Sequence, residues 1–261
     1  MMDECTSEDT SRQILGNISI VLVGTTHPGN IGAVARAMKT MGIGSLCLVD
    51  PKRFPCAEAT ARATGADDVL YTARVFDALP AALADCHWVI GTSARVRNIQ
   101  WPEFTPRECA RRAVEVGAHG PVALVFGREH SGLTNEELDC CHAVMRIPTN
   151  PDYRSLNLAS AVQIATYEIR MALSEGKITS DLPAAVDTVD PDAISALERE
   201  GLFRHLETSL REIGYYDPAK PKKLMRRLRR FFNRANPDRS ELNILRGILS
   251  AAQKAARRAD G

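Results

Sequence analysis

Apolar residues fall along this chain in two rhythms. Short runs bounded by breakers recur: Ile18-Ser-Ile-Val-Leu-Val-Gly24, Ser45-Leu-Cys-Leu-Val-Asp50, a weaker Val69-Leu-Tyr71, His87-Trp-Val-Ile-Gly-Thr92, Val122-Ala-Leu-Val-Phe126 and Ala143-Val-Met-Arg-Ile147. Apolar runs with little alternation are what strands covered on both faces require. Between them the spacing turns helical. Ile31, Val34, Ala35, Met38 and Met41 form a core stripe, with Asn30 as cap and Gly42 as stop. Further helices are predicted over 57–64, 77–84 and 106–116, and a short one opens at the capping box Thr134…Glu137. After Ile147, Pro148 and Pro151 stiffen a polar loop and Ser155 stands where a helix is capped. Leu158, Ala161, Val162, Ala165, Ile169 and Leu173 then mark one buried face. Strands alternating with helices predict an α/β fold, a parallel sheet flanked by helices on both faces.

The ends read differently. Residues 1–16 carry Asp3, Glu4, Glu8, Asp9 and Arg12 with no apolar run, which predicts a disordered tail and no signal peptide. Residues 174–189 lack periodicity and read as a linker. Residues 190–261 predict a small all-helical domain. Its first helix opens at Asp190-Pro191, its second spans about 221–235, and its third starts near Asp238 with Leu242, Leu245, Ile248 and Leu249 as the stripe. No apolar segment approaches membrane-spanning length, so a cytoplasmic location without a membrane partner is expected.

Composition adds little until it is localised. The net charge is only +1, and the charged fraction of 25% and hydrophobic fraction of 44% are ordinary for a globular chain. Seven cysteines without a CxxC pair suggest a reduced compartment and no thiolate zinc site. The second helix of the tail, however, carries seven basic residues and no acid. Lys222, Lys223, Arg226, Arg227, Arg229 and Arg230 are its candidate RNA contacts, since lysine and arginine against phosphates release counterions. Arg95 and Arg97 extend the same surface. On the helix over 30–41, the side opposite the core holds Gly32, Ala33, Arg36, Ala37 and Thr40, too small for a solvated face, so close packing against another element or subunit is expected.

Ligands of parallel sheets bind beyond the carboxyl ends of strands. Loops rich in Gly, Ser, Thr and Asn follow Ile90, Phe126 and Ile147, and their convergence is the candidate site. Gly24, Gly29 and Gly32 miss the G-x-G-x-x-G spacing, and HExxH and GxSxG are absent, which weakens dehydrogenase and hydrolase readings.

Three ordered motifs are specific: Asn30-x-Gly-Ala-x-x-Arg36, Phe126-Gly-Arg-Glu-His-Ser-Gly-Leu133 and Ile147-Pro…Ser155-Leu-Asn157. Over residues 17–173 the chain resembles the SPOUT methyltransferases, in the branch that methylates ribose 2′-hydroxyls of RNA. With Gly91-Thr-Ser-Ala-Arg95 and Glu241-Leu-Asn-Ile-Leu-Arg-Gly-Ile-Leu249, it is most similar to members acting on cytidine or uridine 32 of tRNA. The resemblance implies a trefoil knot at the end of the sheet, a homodimer, and S-adenosylmethionine bound by Thr92, Ser93, Ala94, Gly127, Ile147, Arg154, Ser155 and Leu156. It implies Arg36 as the principal catalytic residue, with Asn30, Glu129, Ser155 and Asn157 assisting, and no metal. The partner would be tRNA, not DNA. A ribosomal RNA methyltransferase and a non-catalytic RNA-binding protein remain the alternatives.

Overall fold

The computed structural model describes residues 2–95, 101–174 and 193–259. Among the described residues, seven strands form one parallel sheet: β1 (Ile18–Val23), β2 (Ser45–Val49), β3 (Arg74–Phe76), β4 (Trp88–Thr92), β5 (Glu103–Phe104), β6 (Val122–Phe126) and β7 (Ala143–Met145). Their order is β3-β2-β1-β6-β4-β7-β5. A late strand, β6, thus lies between β1 and β4 and pairs with both. The flanking helices are α1 (Met2–Gly16), α2 (Pro28–Met41), α3 (Ala57–Ala63), α4 (Asp67–Tyr71), α5 (Leu79–Leu83), α6 (Pro106–Gly117), α7 (Asn135–Leu138) and α8 (Leu158–Ser174).

Pleating sends alternate residues of β1 to opposite cores. Ile18, Ile20 and Leu22 pack in one cluster with Ile31, Val34 and Met38 of α2 and with Val162, Ala165 and Ile169 of α8. Val21 and Val23 belong to the other, with Leu79 and Leu83 of α5, Leu133 and Leu138. Three further helices follow, α9 (Ala196–Glu212), α10 (Leu224–Ala235) and α11 (Arg239–Ala259), around the small cluster Ile194, Leu202 and Leu242. They dock on the sheet domain: Ala196 N donates to Cys86 O (3.0 Å), Asn233 Nδ2 to Cys141 O (3.1 Å) and Arg226 Nε to Asp139 Oδ2 (2.7 Å). No helix among the described residues is long and apolar enough to cross a membrane.

Several elements differ from expectation. The stretch taken for a disordered tail contains helix α1, whose last turn buries Ile14 and Leu15 beside Gly117 and Gly42. Val69-Leu-Tyr71 is helical. Asp67 and Asp68 favour a helix start there, Val69 and Leu70 turn into the core, and the edge strand is β3 instead. Helix α2 starts at Pro28, which leaves the Asn30 side chain free for the site. Asn157, not Ser155, caps α8: its Oδ1 accepts from Ala159 N (2.9 Å) and Ser160 N (3.4 Å). The small-residue face of α2 is covered in part by the same chain, because a Cβ on Gly32 would lie 2.0 Å from Ala59 O of α3. Ile248 of the α11 stripe is exposed, while Leu242 is buried. The first tail helix begins at Ala196 under a Ser195–Glu198 capping box; Asp190, Pro191 and the linker beyond Ser174 lie outside the described residues.

Candidate functional site

In the sheet order β6, β4 and β7 are neighbours, so the three loops singled out by composition emerge side by side. They enclose a cavity of about 560 Å³, lined by Thr92–Arg95 after β4, Phe126–Gly132 after β6, and Met145, Ile147, Thr149, Arg154, Ser155 and Leu156 after β7, closed below by Leu158 and Ala161 of α8. All eight residues expected to hold a cofactor are among these. The wall combines apolar side chains with hydroxyls and backbone, and the volume suits a small organic ligand. Ser93 N donates to Met145 O (3.2 Å), tying two of the loops together.

The β6 loop folds tightly back on itself. Gly132 N donates to Arg128 O (2.8 Å), and Arg128 Nη1 is held by both oxygens of Glu137 (2.9 and 3.1 Å). A Cβ on Gly127 would lie 2.2 Å from the Gly132 carbonyl carbon and 2.3 Å from Leu133 N, so only glycine fits there. The missing side chain is what lets the two ends of the loop pack backbone against backbone.

At the rim, Glu129 collects donors. Thr26 Oγ1 (2.9 Å) and Thr26 N (3.2 Å) reach Oε2, while His27 N (3.2 Å) and Asn30 Nδ2 (2.9 Å) reach Oε1. Burial pushes the carboxyl pKa up. The bonds from Asn30, from its own amide and from Thr26 and His27 outweigh that and hold it at about 2. Asn157 Nδ2 then donates to Asn30 Oδ1 (3.2 Å), so Glu129, Asn30 and Asn157 form one chain from the β6 loop through α2 to the start of α8. Beside it the rings of His27 and His130 meet edge-on, 6.2 Å between centroids.

Of the five residues expected to be catalytic, four meet here: Glu129 and Ser155 line the cavity, and Asn30 and Asn157 brace it. Arg36 does not. It is exposed on α2 and does not line the cavity of its own chain, and its side chain has no ion pair among the described residues. Sequence reasoning passed over Thr26 and His27, although their loop follows the carboxyl end of β1, which neighbours β6; the same strand-end rule reaches them.

The basic tail helix divides in two. Arg226 is bound to Asp139, and Arg229 pairs with Glu200 (2.8 Å from Nη2 to Oε1) while its guanidinium lies 4.6 Å over the Phe203 ring. Those two hold the domain together. Lys222, Lys223 and Arg227 are exposed, and Arg230 is half-buried. Arg95 lies at the cavity, and Arg97 lies outside the described residues.

This combination of a parallel sheet, a glycine-tight loop after one central strand and a polar chain between that loop and the next helix defines a class. Residues 17–167 match the model of the SpoU rRNA Methylase family, and the chain belongs to that family of methyltransferases. Residues 197–261 match the C-terminal domain of the tRNA methyltransferase TrmJ. The chain is 51% identical over 248 residues to the tRNA (cytidine/uridine/adenosine-2′-O-)-methyltransferase TrmJ of Pseudomonas aeruginosa (strain UCBPP-PA14), covering 94% of this chain and 96% of the relative. It is 50% identical over 245 residues to the tRNA (cytidine/uridine-2′-O-)-methyltransferase TrmJ of Photorhabdus laumondii, covering 94% and 100%. Among solved structures, TrmJ from Z. mobilis ZM4 superposes with a TM-score of 0.77 at 34% identity, over 89% of this chain and 97% of that one. A probable methylase family protein from Haemophilus influenzae Rd KW20 gives 0.61 at 43% identity, over 94% and 99%.

Proposed function

We propose that this chain transfers the methyl group of S-adenosylmethionine to a ribose 2′-hydroxyl of tRNA, at cytidine or uridine 32 of the anticodon loop, working in the cytoplasm as a homodimer. The observation that carries this is the rim of the cavity, where the Glu129–Asn30–Asn157 chain stands directly over residues suited to a cofactor. The names of the P. aeruginosa and P. laumondii relatives, both tRNA 2′-O-methyltransferases, support the substrate. Adenosine at the target position is supported by the name of the P. aeruginosa relative. In this reading the loop after β7 threads a trefoil knot, and residues 17–173 are the catalytic domain.

The site fits the cofactor: Gly127 lets the β6 loop close tightly at the cavity wall, Ile147 and Leu156 offer apolar contact, and Thr92, Ser93 and Ser155 offer hydroxyls. When bound, S-adenosylmethionine supplies an electrophilic methyl on a positively charged sulfur. The protein aligns the attacking oxygen with that methyl, and such positioning provides much of the acceleration, while the 2′-hydroxyl proton passes to water. Glu129 orients and does not act as a base, since a carboxylate with a pKa of about 2 and both oxygens occupied is a poor proton acceptor near neutral pH. The Arg36 guanidinium stabilises negative charge developing on the 2′-oxygen and contacts the adjacent phosphate. Its exposure away from its own cavity supports a site completed by the second subunit. Arg95, Lys222, Lys223, Arg227 and Arg230 supply phosphate contacts.

The test is incubation with labelled S-adenosylmethionine and unmodified bulk tRNA, with the product nucleoside identified by mass spectrometry. A 2′-O-methylated cytidine or uridine at position 32 is the expected result. Label entering only ribosomal RNA would replace the substrate assignment, and no incorporation into either RNA would overturn the reading.

A further inference from the structure

The loop between β7 and α8 builds one wall of the cavity through Ile147, Thr149, Arg154, Ser155 and Leu156. Tyr153 sits within this wall, yet it does not line the cavity, and it is 76% exposed. Phe126, the other benzene ring in the cavity-forming segments, is buried. An exposed phenol in a loop is ordinary when the loop is loose, and this one is pinned. Pro148 and Pro151 fix φ at two positions. Asn150 Oδ1 accepts from Asp152 N (2.9 Å), Asn150 O accepts from Tyr153 N (3.0 Å), and Arg154 Nε donates to Pro151 O (2.9 Å). The ring is therefore presented on a braced backbone beside the cavity, whose lining includes two cations, Arg154 and Arg95. Ordering cost on binding is small for such a group.

A target set of cytidine, uridine and adenosine, as in the name of the P. aeruginosa relative, shares no common hydrogen-bonding edge. What those bases share is a π-face, and stacking on an aromatic side chain is tolerant of base identity. A base drawn away from its neighbours in a loop also loses their stacking, which a protein ring restores. We propose that Tyr153 is the platform on which the base of the target nucleotide stacks while its 2′-hydroxyl enters the cavity mouth. This rests on the tRNA methylation proposed above. Tyr153 is then a positioning residue for RNA and leaves the cofactor untouched.

The experiment pairs protein and RNA changes. Tyr153→Ala, Tyr153→Phe and the wild-type protein are assayed on a tRNA assembled with either cytidine or an abasic ribose at position 32, and S-adenosylmethionine affinity is measured by calorimetry. Tyr153→Ala is expected to raise the KM for the cytidine tRNA about 10-fold, within the range of one lost base–aromatic stack. Tyr153→Phe keeps the ring and stays within about twofold of wild type, and cofactor affinity is unchanged in both. On the abasic tRNA the difference between tyrosine and alanine disappears, which a merely structural role for Tyr153 does not produce. If wild type methylates tRNA and Tyr153→Ala matches it, or loses as much on the abasic tRNA as on the cytidine one, the inference falls alone. If wild type methylates no tRNA, the proposed function falls and this inference with it.

Discussion

Glu129 illustrates how a single carboxylate is defined by its donors. Its folded pKa of about 2 lies below the ordinary glutamate value of about 4.3, so its bonds stabilise the fold above that value and are lost as pH falls toward 2. Glu129→Gln is accordingly expected to flatten the dependence of the urea midpoint on pH between roughly 5 and 2. Its methyl-transfer rate should fall about 10- to 100-fold while the shape of the pH–rate profile between about 6 and 9 stays that of wild type. Disappearance of an ascending acid-side limb in that profile would restore a proton-accepting role. Gly127→Ala places a methyl against the Gly132–Leu133 backbone, which must move. Loss of measurable S-adenosylmethionine binding by calorimetry is the expected outcome, with the fold retained by circular dichroism. At this scale the eight residues that the motifs assign to a cofactor all line one cavity. What they could not convey is who touches whom. Ser155 and Asn157 are both polar and close to a helix start, and only the geometry shows Asn157 as the cap. Thr26 enters the site through its amide and hydroxyl, and a lone threonine in a loop carries no pattern to read.

At the level of elements, the central strands were legible because burial on both faces makes them continuous apolar runs, as in Ile18–Val23 and Val122–Phe126. The edges were not. β5 is two residues long, and β3, Arg74–Phe76, carries no buried residue. Helix α10 was readable as basic, but composition cannot separate the charges bonded within the chain, Arg226 and Arg229, from those left at the surface. Replacing Lys222, Lys223, Arg227 and Arg230 by glutamine is expected to weaken tRNA binding and reduce the slope of log K against log salt by roughly three to four, with thermal stability near wild type. Arg226→Ala is expected to do the opposite. It leaves Asp139 without its guanidinium, in a site where burial already raises the carboxyl pKa, at a cost of about 1–3 kcal/mol seen in chemical denaturation and little change in salt slope. Equal effects of the two sets would collapse the division between inner and outer faces.

For the whole molecule, the exposed position of Arg36 relative to its own cavity makes a sharp prediction about subunits. Arg36→Ala and Gly127→Ala are each expected to be inactive alone. Mixed and reassociated, they should recover activity if Arg36 serves the partner's cavity, because a mixed dimer then keeps one intact site. With random pairing that is about a quarter of all sites. No recovery, with mixed dimers confirmed by native mass spectrometry, would assign Arg36 to its own chain's chemistry.

The sheet order also bears on how the protein is made. β1 and β4 are both synthesised well before β6, and only β6 joins them: it lies between them, pairing Ile18–Leu22 on one side and Trp88–Gly91 on the other. A nascent chain ending before Val122 can zip β1 to β2 and β3, but β4 has no edge to join. The bonds that complete the rim span 99 to 127 residues of sequence, so they close only after that insertion. Such long-range pairing is slow to form. The ribosome must therefore deliver almost half the chain before β1 and β4 can be joined, and until then an open strand edge waits in the cell for the one segment that fits it.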